Sequence, residues 1–175
     1  RSVCANWPVL YRACIAAVLP VTKVNAYLAS KILAMLIVGL LLILMRVCFR
    51  KDAWIYALCL TNIGFLDLCY YTWSEVPFIL FLSGFGLVLA RILKEDHPGV
   101  KWYVLLGIMG ICSFLTRYFG IYVWIVTGVY ICALLWKYYK EREKTDFHKA
   151  VFLGITSADY GILSMGYIMM HKLIN

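Results

Sequence analysis

Charge is scarce in this chain: 15% of its 175 residues are Asp, Glu, Lys or Arg, against about 25% in soluble domains. Acids are scarcest. There are 9 Asp and Glu in all, and none stands between Arg1 and Asp52. The 64% of apolar residues exceeds the roughly 45–50% that a water-soluble domain can bury. Soluble, collagen-like, disordered and disulfide-stapled chains are thereby excluded. The seven cysteines stand singly, with no CxxC pair and no nearby His, as small apolar residues do; neither a metal site nor a disulfide frame is expected. His97, His148 and His171 have no partner at i,i+4, which removes support for zinc or a Ser–His–Asp arrangement. A phosphate loop of the GxxxxGK type is absent, and so are internal repeats and low-complexity tracts.

What remains is long apolar runs. A membrane-spanning helix needs about 20 mostly apolar residues, and about six segments approach that: 32–45 (extending back to 25), 53–71, 76–90, 102–116, 118–136 and 150–170. A shorter amphiphilic stretch, 8–19, contains Arg12. The fold expected is therefore all-α: a polytopic transmembrane helical bundle of about six spans with an N-terminal membrane-surface helix, forming one partial transmembrane domain over 1–175. Pro8, Pro20 and Pro77 are read at or near helix starts, where a missing N–H costs little.

Basic residues gather in three connections: Arg46/Arg50/Lys51, Arg91/Lys94/Lys101 and Lys137/Lys140/Arg142/Lys144/Lys149. If every span crosses once, these 11 of the 17 Lys and Arg share one side, which the positive-inside rule makes cytoplasmic. Trp54, Trp102 and Trp136 then mark the inner boundary and Trp73 the outer one. The formal charge of +8 reports orientation; the bases flank loops and form no patch for nucleic acid.

Ionisable groups within a bilayer are costly and face a cavity or a partner. Lys31 lies one to two turns below the outer end of its helix, and Asp67 about 20 Å above the inner end of its own. Glu75 opens one span and Arg117 closes another. Four charges in the outer half, on four segments, suit a polar cavity opening outward; they equally suit pairs that hold helices together. Asp159 falls nearer the midplane and needs its own partner. An Arg at the membrane surface can hold a phosphate through paired hydrogen bonds. Gly84, Gly86 and the pair Gly107/Gly110 suit close helix packing.

Read in order, four short motifs resemble a known family. Asn6-Trp7-Pro8-Val9-Leu10-Tyr11 is similar to a Tyr-Pro-Pro-Leu-Tyr element, with Trp7 where that element has its first Pro. Ala29-Ser30-Lys31-Ile32-Leu33 is similar to an Ala-Arg/Lys-Leu-Leu span opening. Ser74-Glu75-Val76-Pro77-Phe78 is similar to a Ser-Glu-x-x-Phe/Leu turn, and Ser113-Phe114-Leu115-Thr116-Arg117-Tyr118-Phe119-Gly120-Ile121 to a Leu-Thr-Arg-Tyr-x-Gly-Ile turn. The chain thus resembles GT-C class membrane glycosyltransferases, the relatives of protein O-mannosyltransferases and lipid A aminoarabinose transferases.

That resemblance implies transfer of a sugar from a polyprenyl-phosphate carrier to an acceptor on the extracytoplasmic side. The implied partners are the lipid-linked donor, membrane lipids and an acceptor glycan, lipid or protein; no metal and no covalently bound cofactor are implied. By position Arg117 would contact the carrier phosphate and Glu75 would shape the sugar or acceptor pocket, with Lys31 and Tyr118 as further candidates. The family's catalytic Asp lies upstream of the first motif. Arg1 follows neither an initiator Met nor a signal peptide, so a fragment of a longer protein is expected, lacking that acid and inactive alone. The breadth of the family points to a bacterial plasma membrane. Two other classes compete: a transporter or flippase piece, and a non-enzymatic membrane assembly subunit.

Overall fold

The computed structural model describes residues 9–71 and 73–174, with side chains described as far as Met170. Every regular element among the described residues is helical. The chain divides into two compact units, 9–80 and the residues from Phe81 onward, and each is taken by itself.

The first unit contains α1 (Leu10–Thr22), α2 (Ala26–Phe49), a 3₁₀ turn (Arg50–Asp52), α3 (Ala53–Cys59), α4 (Ile63–Tyr70) and the opening residues of α5 (Glu75–Lys94). Lys23 takes a left-handed conformation (φ 52°) just past α1, and Asn25 starts α2 by accepting from the Leu28 amide at 2.9 Å. That hydrogen bond satisfies one of the donors a helix start leaves open. Pro20 lies inside α1, two residues before its end, rather than at a helix start as its spacing suggested. Tyr11 of α1 and Ala29 and Ser30 of α2 are buried. After α2 the chain reverses at Arg50 (φ 47°), whose carbonyl accepts from the Arg46 guanidinium at 2.6 Å. Phe49 then stacks on Tyr56, ring centroids 4.0 Å apart.

The single continuous helix expected over 53–71 does not form. It breaks into α3 and α4 because Thr61 and Asn62 offer the backbone better local partners than a continuing helix does. The Thr61 hydroxyl donates to the Leu58 carbonyl and the Asn62 amide to the Cys59 carbonyl, each at 2.7 Å. The Asn62 side-chain oxygen then accepts from the Phe65 amide at 2.9 Å, capping α4. The depth assigned to Asp67 assumed a continuous helix and falls with it; Asp67 is exposed on α4.

The second unit contains the rest of α5, then α6 (Val100–Thr116), a 3₁₀ turn (Tyr118–Ile121), α7 (Tyr122–Glu141) and α8 (Lys144–Ile174). Its core joins Phe85, Leu89 and Ile92 of α5 with Tyr103 and Leu106 of α6, Val123 of α7, and Leu153 and Tyr160 of α8. The buried residues of α8 recur at helical spacing: Asp146, Lys149, Ala150, Leu153, Thr156, Tyr160 and Ser164. One face of that helix is therefore committed to the core. Inside it the Tyr160 hydroxyl donates to Thr127 Oγ1 at 3.0 Å, and Thr127 donates to the Val123 carbonyl at 2.8 Å. Three glycines stand at close helix contacts as expected. A Cβ at Gly84 would lie 3.1 Å from Met109 Sδ, at Gly107 3.3 Å from Thr156 Cγ2, and at Gly110 3.5 Å from Val123 Cγ1. Gly86 has open space instead and lines a trough.

Four helical segments are long and apolar enough to cross a membrane: Ala26–Cys59, Glu75–Lys94, Tyr118–Glu141 and Lys144–Met170. Val100–Thr116 is shorter, about 26 Å at helical rise against a hydrocarbon core of about 30 Å. In the most apolar window of Ala26–Cys59 only 11% of residues are buried. Met35 (75% exposed) and Val47 (69%) typify the uncovered side of α2, a surface for lipid rather than water.

Candidate functional site

The residues singled out by motif fall into two groups, one in each unit. In the first unit Tyr11, Ser30 and Glu75 converge. The Tyr11 phenol is 8% exposed and hydrogen-bonds with Ser30, which is 1% exposed. Burial raises the phenol above its ordinary pKa; the Ser30 hydrogen bond pulls it back, and the Glu75 carboxylate pushes it up again. Removing a phenol and a hydroxyl from water is tolerable because each partners the other. Ser30 also donates to the Tyr27 carbonyl at 2.7 Å. Glu75, half-buried in the first turn of α5, sits where the positive end of a helix favours a carboxylate. Three of the four motifs thus contribute to one polar cluster. Asn6, Trp7 and Pro8 of the first motif lie outside the described residues, as does Thr72, two residues before the Ser74-Glu75 motif.

Lys31 lies apart from this cluster's hydrogen bonds, at the end of α4. Its ammonium donates to the Cys69 carbonyl at 3.2 Å and to the Tyr70 carbonyl, and it lies 4.9 Å from the Tyr27 ring centroid. Those carbonyls end α4. A cation placed on the open carbonyls of a helix C-terminus satisfies them and opposes the macrodipole. Lys31 therefore holds α4, and its hydrogen-bonding capacity is largely used in doing so.

In the second unit the Arg117 turn is built by the end of α6. Ser113 donates to the Met109 carbonyl at 2.8 Å, and Thr116 to the Ser113 carbonyl at 2.8 Å. Both hydroxyls are fully buried. Such back-bonding weakens a helix's continuation, and Arg117 leaves it in an extended conformation (φ −152°, ψ 140°). The following turn folds back so tightly that a Cβ at Gly120 would lie 2.4 Å from the Phe114 nitrogen and 2.6 Å from the Ser113 carbonyl carbon. Only glycine fits there. The Gly120 amide donates to the Arg117 carbonyl at 2.8 Å. The guanidinium is half-buried, 5.5 Å from the Phe119 ring centroid, and the Tyr118 ring meets Phe114 edge-on at 5.8 Å.

Immediately after this turn α7 begins, and Tyr122, Val123, Val126 and Tyr130 form one wall of an apolar trough of about 310 Å³. Leu82, Gly86 and Leu89 of α5 are on the opposite wall. The trough is apolar and partly open, and in the chain the Arg117 turn directly precedes its α7 wall.

Sequence reasoning passed over a second set of charges. Lys149 is 5% exposed and donates to the Leu93 carbonyl at 3.2 Å, closing the end of α5 as Lys31 closes α4. Asp146 is 4% exposed and lies 3.0 Å from the Lys137 ammonium. Glu141 and Glu143 approach the same ammonium at 3.8 Å and 3.9 Å. The three carboxylates lie within 4.8 Å of one another, with the lysine charge among them. The signal was legible in the period: Asp146 and Lys149 continue the spacing of Leu153, Thr156 and Tyr160, which marks them as core-facing rather than loop flanks.

Compared with known proteins, the chain has no significant match to a family model, to a curated protein or to a solved structure.

Proposed function

We propose that the chain is part of an integral-membrane glycosyltransferase that moves a sugar from a polyprenyl-phosphate carrier to an acceptor on the extracytoplasmic side. The observation that carries this reading is that the Arg117 turn runs directly, within five residues, into Tyr122 and Val123, which line the apolar trough between α5 and α7. A polyprenyl phosphate is an anionic head on a long apolar tail. An arginine answers the head with a forked, permanently charged donor set, and the trough offers the tail a surface free of charge. Tyr118 stands beside Arg117 with its ring held by Phe114, where it would flank the phosphate. Glu75, fixed beside Tyr11 and Ser30, would shape the sugar or acceptor pocket. Lys31 takes a positioning role through α4. No described residue is assigned as the general base that activates the acceptor hydroxyl. The membrane is taken as a bacterial plasma membrane with the basic connections cytoplasmic.

The test is transfer of labelled sugar from a polyprenyl-phosphate donor by the full-length parent protein in vesicles. Arg117→Ala is expected to lower transfer by about 100-fold, the order lost with one charge-stabilising donor, while insertion stays normal. Arg117→Lys should recover part of it, since a point charge replaces a fork. Unchanged transfer in Arg117→Ala would sink the assignment. Normal transfer with altered substrate uptake would favour a transporter, and misfolding in both variants a purely structural subunit.

A further inference from the structure

In the second unit, α8 carries a carboxylate outside the stripe of residues it commits to the core, on the flank of the helix. Asp159 is exposed, and so are Ile155, Ala158, Ile162 and Gly166 on the same helical face. Ile155 is 54% and Ile162 70% exposed. Asp159 lies about 22 Å from the Lys144 end and about 16 Å from Met170 at helical rise, which places it near mid-depth if this segment crosses a membrane. No Lys, Arg or His stands in 118–136 or 150–170. The basic residues of this unit lie at or beyond helix ends, and Lys137 and Lys149 are already engaged. Among the described residues of its own unit the midspan carboxylate therefore has no counter-charge, and facing hydrocarbon alone is costly.

The same stretch of α8 lines an open apolar groove of about 510 Å³ against α7, with Trp124, Gly161, Met165 and Met169 among its lining residues. Ala158, Ile162 and Gly166 line it as well, so the helical face that carries Asp159 adjoins the groove.

We infer that this face binds a separate transmembrane helix that carries one Lys or Arg near mid-depth, its aliphatic stem in the groove and its charge on Asp159. Charge complementarity selects this occupant. An all-apolar helix would leave the carboxylate as it found it, and a second copy of this unit would bring another acid to the same depth. Pairing with a cation both neutralises the acid and removes two polar groups from lipid. The inference rests on the membrane reading of α8 but not on glycosyl transfer.

The experiment uses the full chain in phosphatidylcholine vesicles, donor-labelled, with acceptor-labelled poly-leucine transmembrane peptides bearing a central Lys, Leu or Asp. Energy transfer is expected at least tenfold stronger with the Lys peptide than with the other two. It should fall to the level of the Leu peptide in Asp159→Asn. It should also fall in Gly166→Leu, which fills the groove at a position where a Cβ meets nothing within 4 Å. Equal binding of the three peptides, or Lys-peptide binding unchanged in Asp159→Asn, overturns the proposal. So does self-association of labelled chains that excludes the Lys peptide. Alkaline extraction of the chain from the vesicles would overturn the membrane reading and the docking site together, whereas loss of docking alone leaves the transferase reading standing.

Discussion

The most constrained residue described is Gly120. Its backbone conformation is ordinary, with no positive φ, so the demand is for space rather than for a left-handed torsion. Alanine there would drive a methyl onto the backbone of Phe114 and Ser113, neither of which can yield without moving the end of α6. Gly120→Ala is expected to cost about 3 kcal/mol, at the upper end of ordinary substitutions, and to displace the Arg117 turn. Gly39→Ala and Gly128→Ala, where a Cβ meets nothing within 4 Å, should be neutral or slightly stabilising, as replacing a helical glycine usually is. Denaturant unfolding of the three variants in one detergent checks the contrast. The sequence motif contains this glycine, but its reason is visible only when the turn is folded onto the helix that precedes it.

At the scale of elements, α4 is eight residues long, too short to hold itself together, and two side chains define it. Asn62 closes its start and Lys31 its end. Asn62→Ala should destabilise the start by about 1 kcal/mol, the usual worth of an N-cap. Lys31→Met should leave the Cys69 and Tyr70 carbonyls without this cation. Hydrogen exchange is expected to quicken at amides 65–71 in both variants, with 28–45 of α2 unchanged; uniform quickening throughout the first unit would mean that α4 is not an independent element. The break before α4 was partly legible: Thr61 and Asn62 are poor choices for a helix interior. Hydropathy overrode them, because every other residue of 53–71 except Asp67 is apolar or glycine.

At the scale of the whole molecule, the pattern of charge along the chain makes a topological claim. Cysteines introduced at His97 and Arg142 in a variant lacking the native thiols are expected to react with an impermeant reagent from the same side. One at Ser74 should react from the opposite side. The decisive comparison is His97 with Phe119: labelling of both from one side would mean that Val100–Thr116 does not cross. Composition alone determined that the chain is helical and carries segments able to span a bilayer, because apolar content and run length are properties of the chain itself. The order of charges along it likewise carried the expectation of sidedness. Tertiary structure decided what each charge does. Lys31 and Lys149 look alike in sequence to any snorkelling base, yet each ends a particular helix, because which carbonyls lie within reach depends on packing between segments far apart in the chain. Asp146 and Asp159 stand on one helix, the first in its opening turn on the core-facing side and the second at mid-helix outside that stripe. A lysine comes to meet the first, and no described residue of its own unit carries a counter-charge to the second.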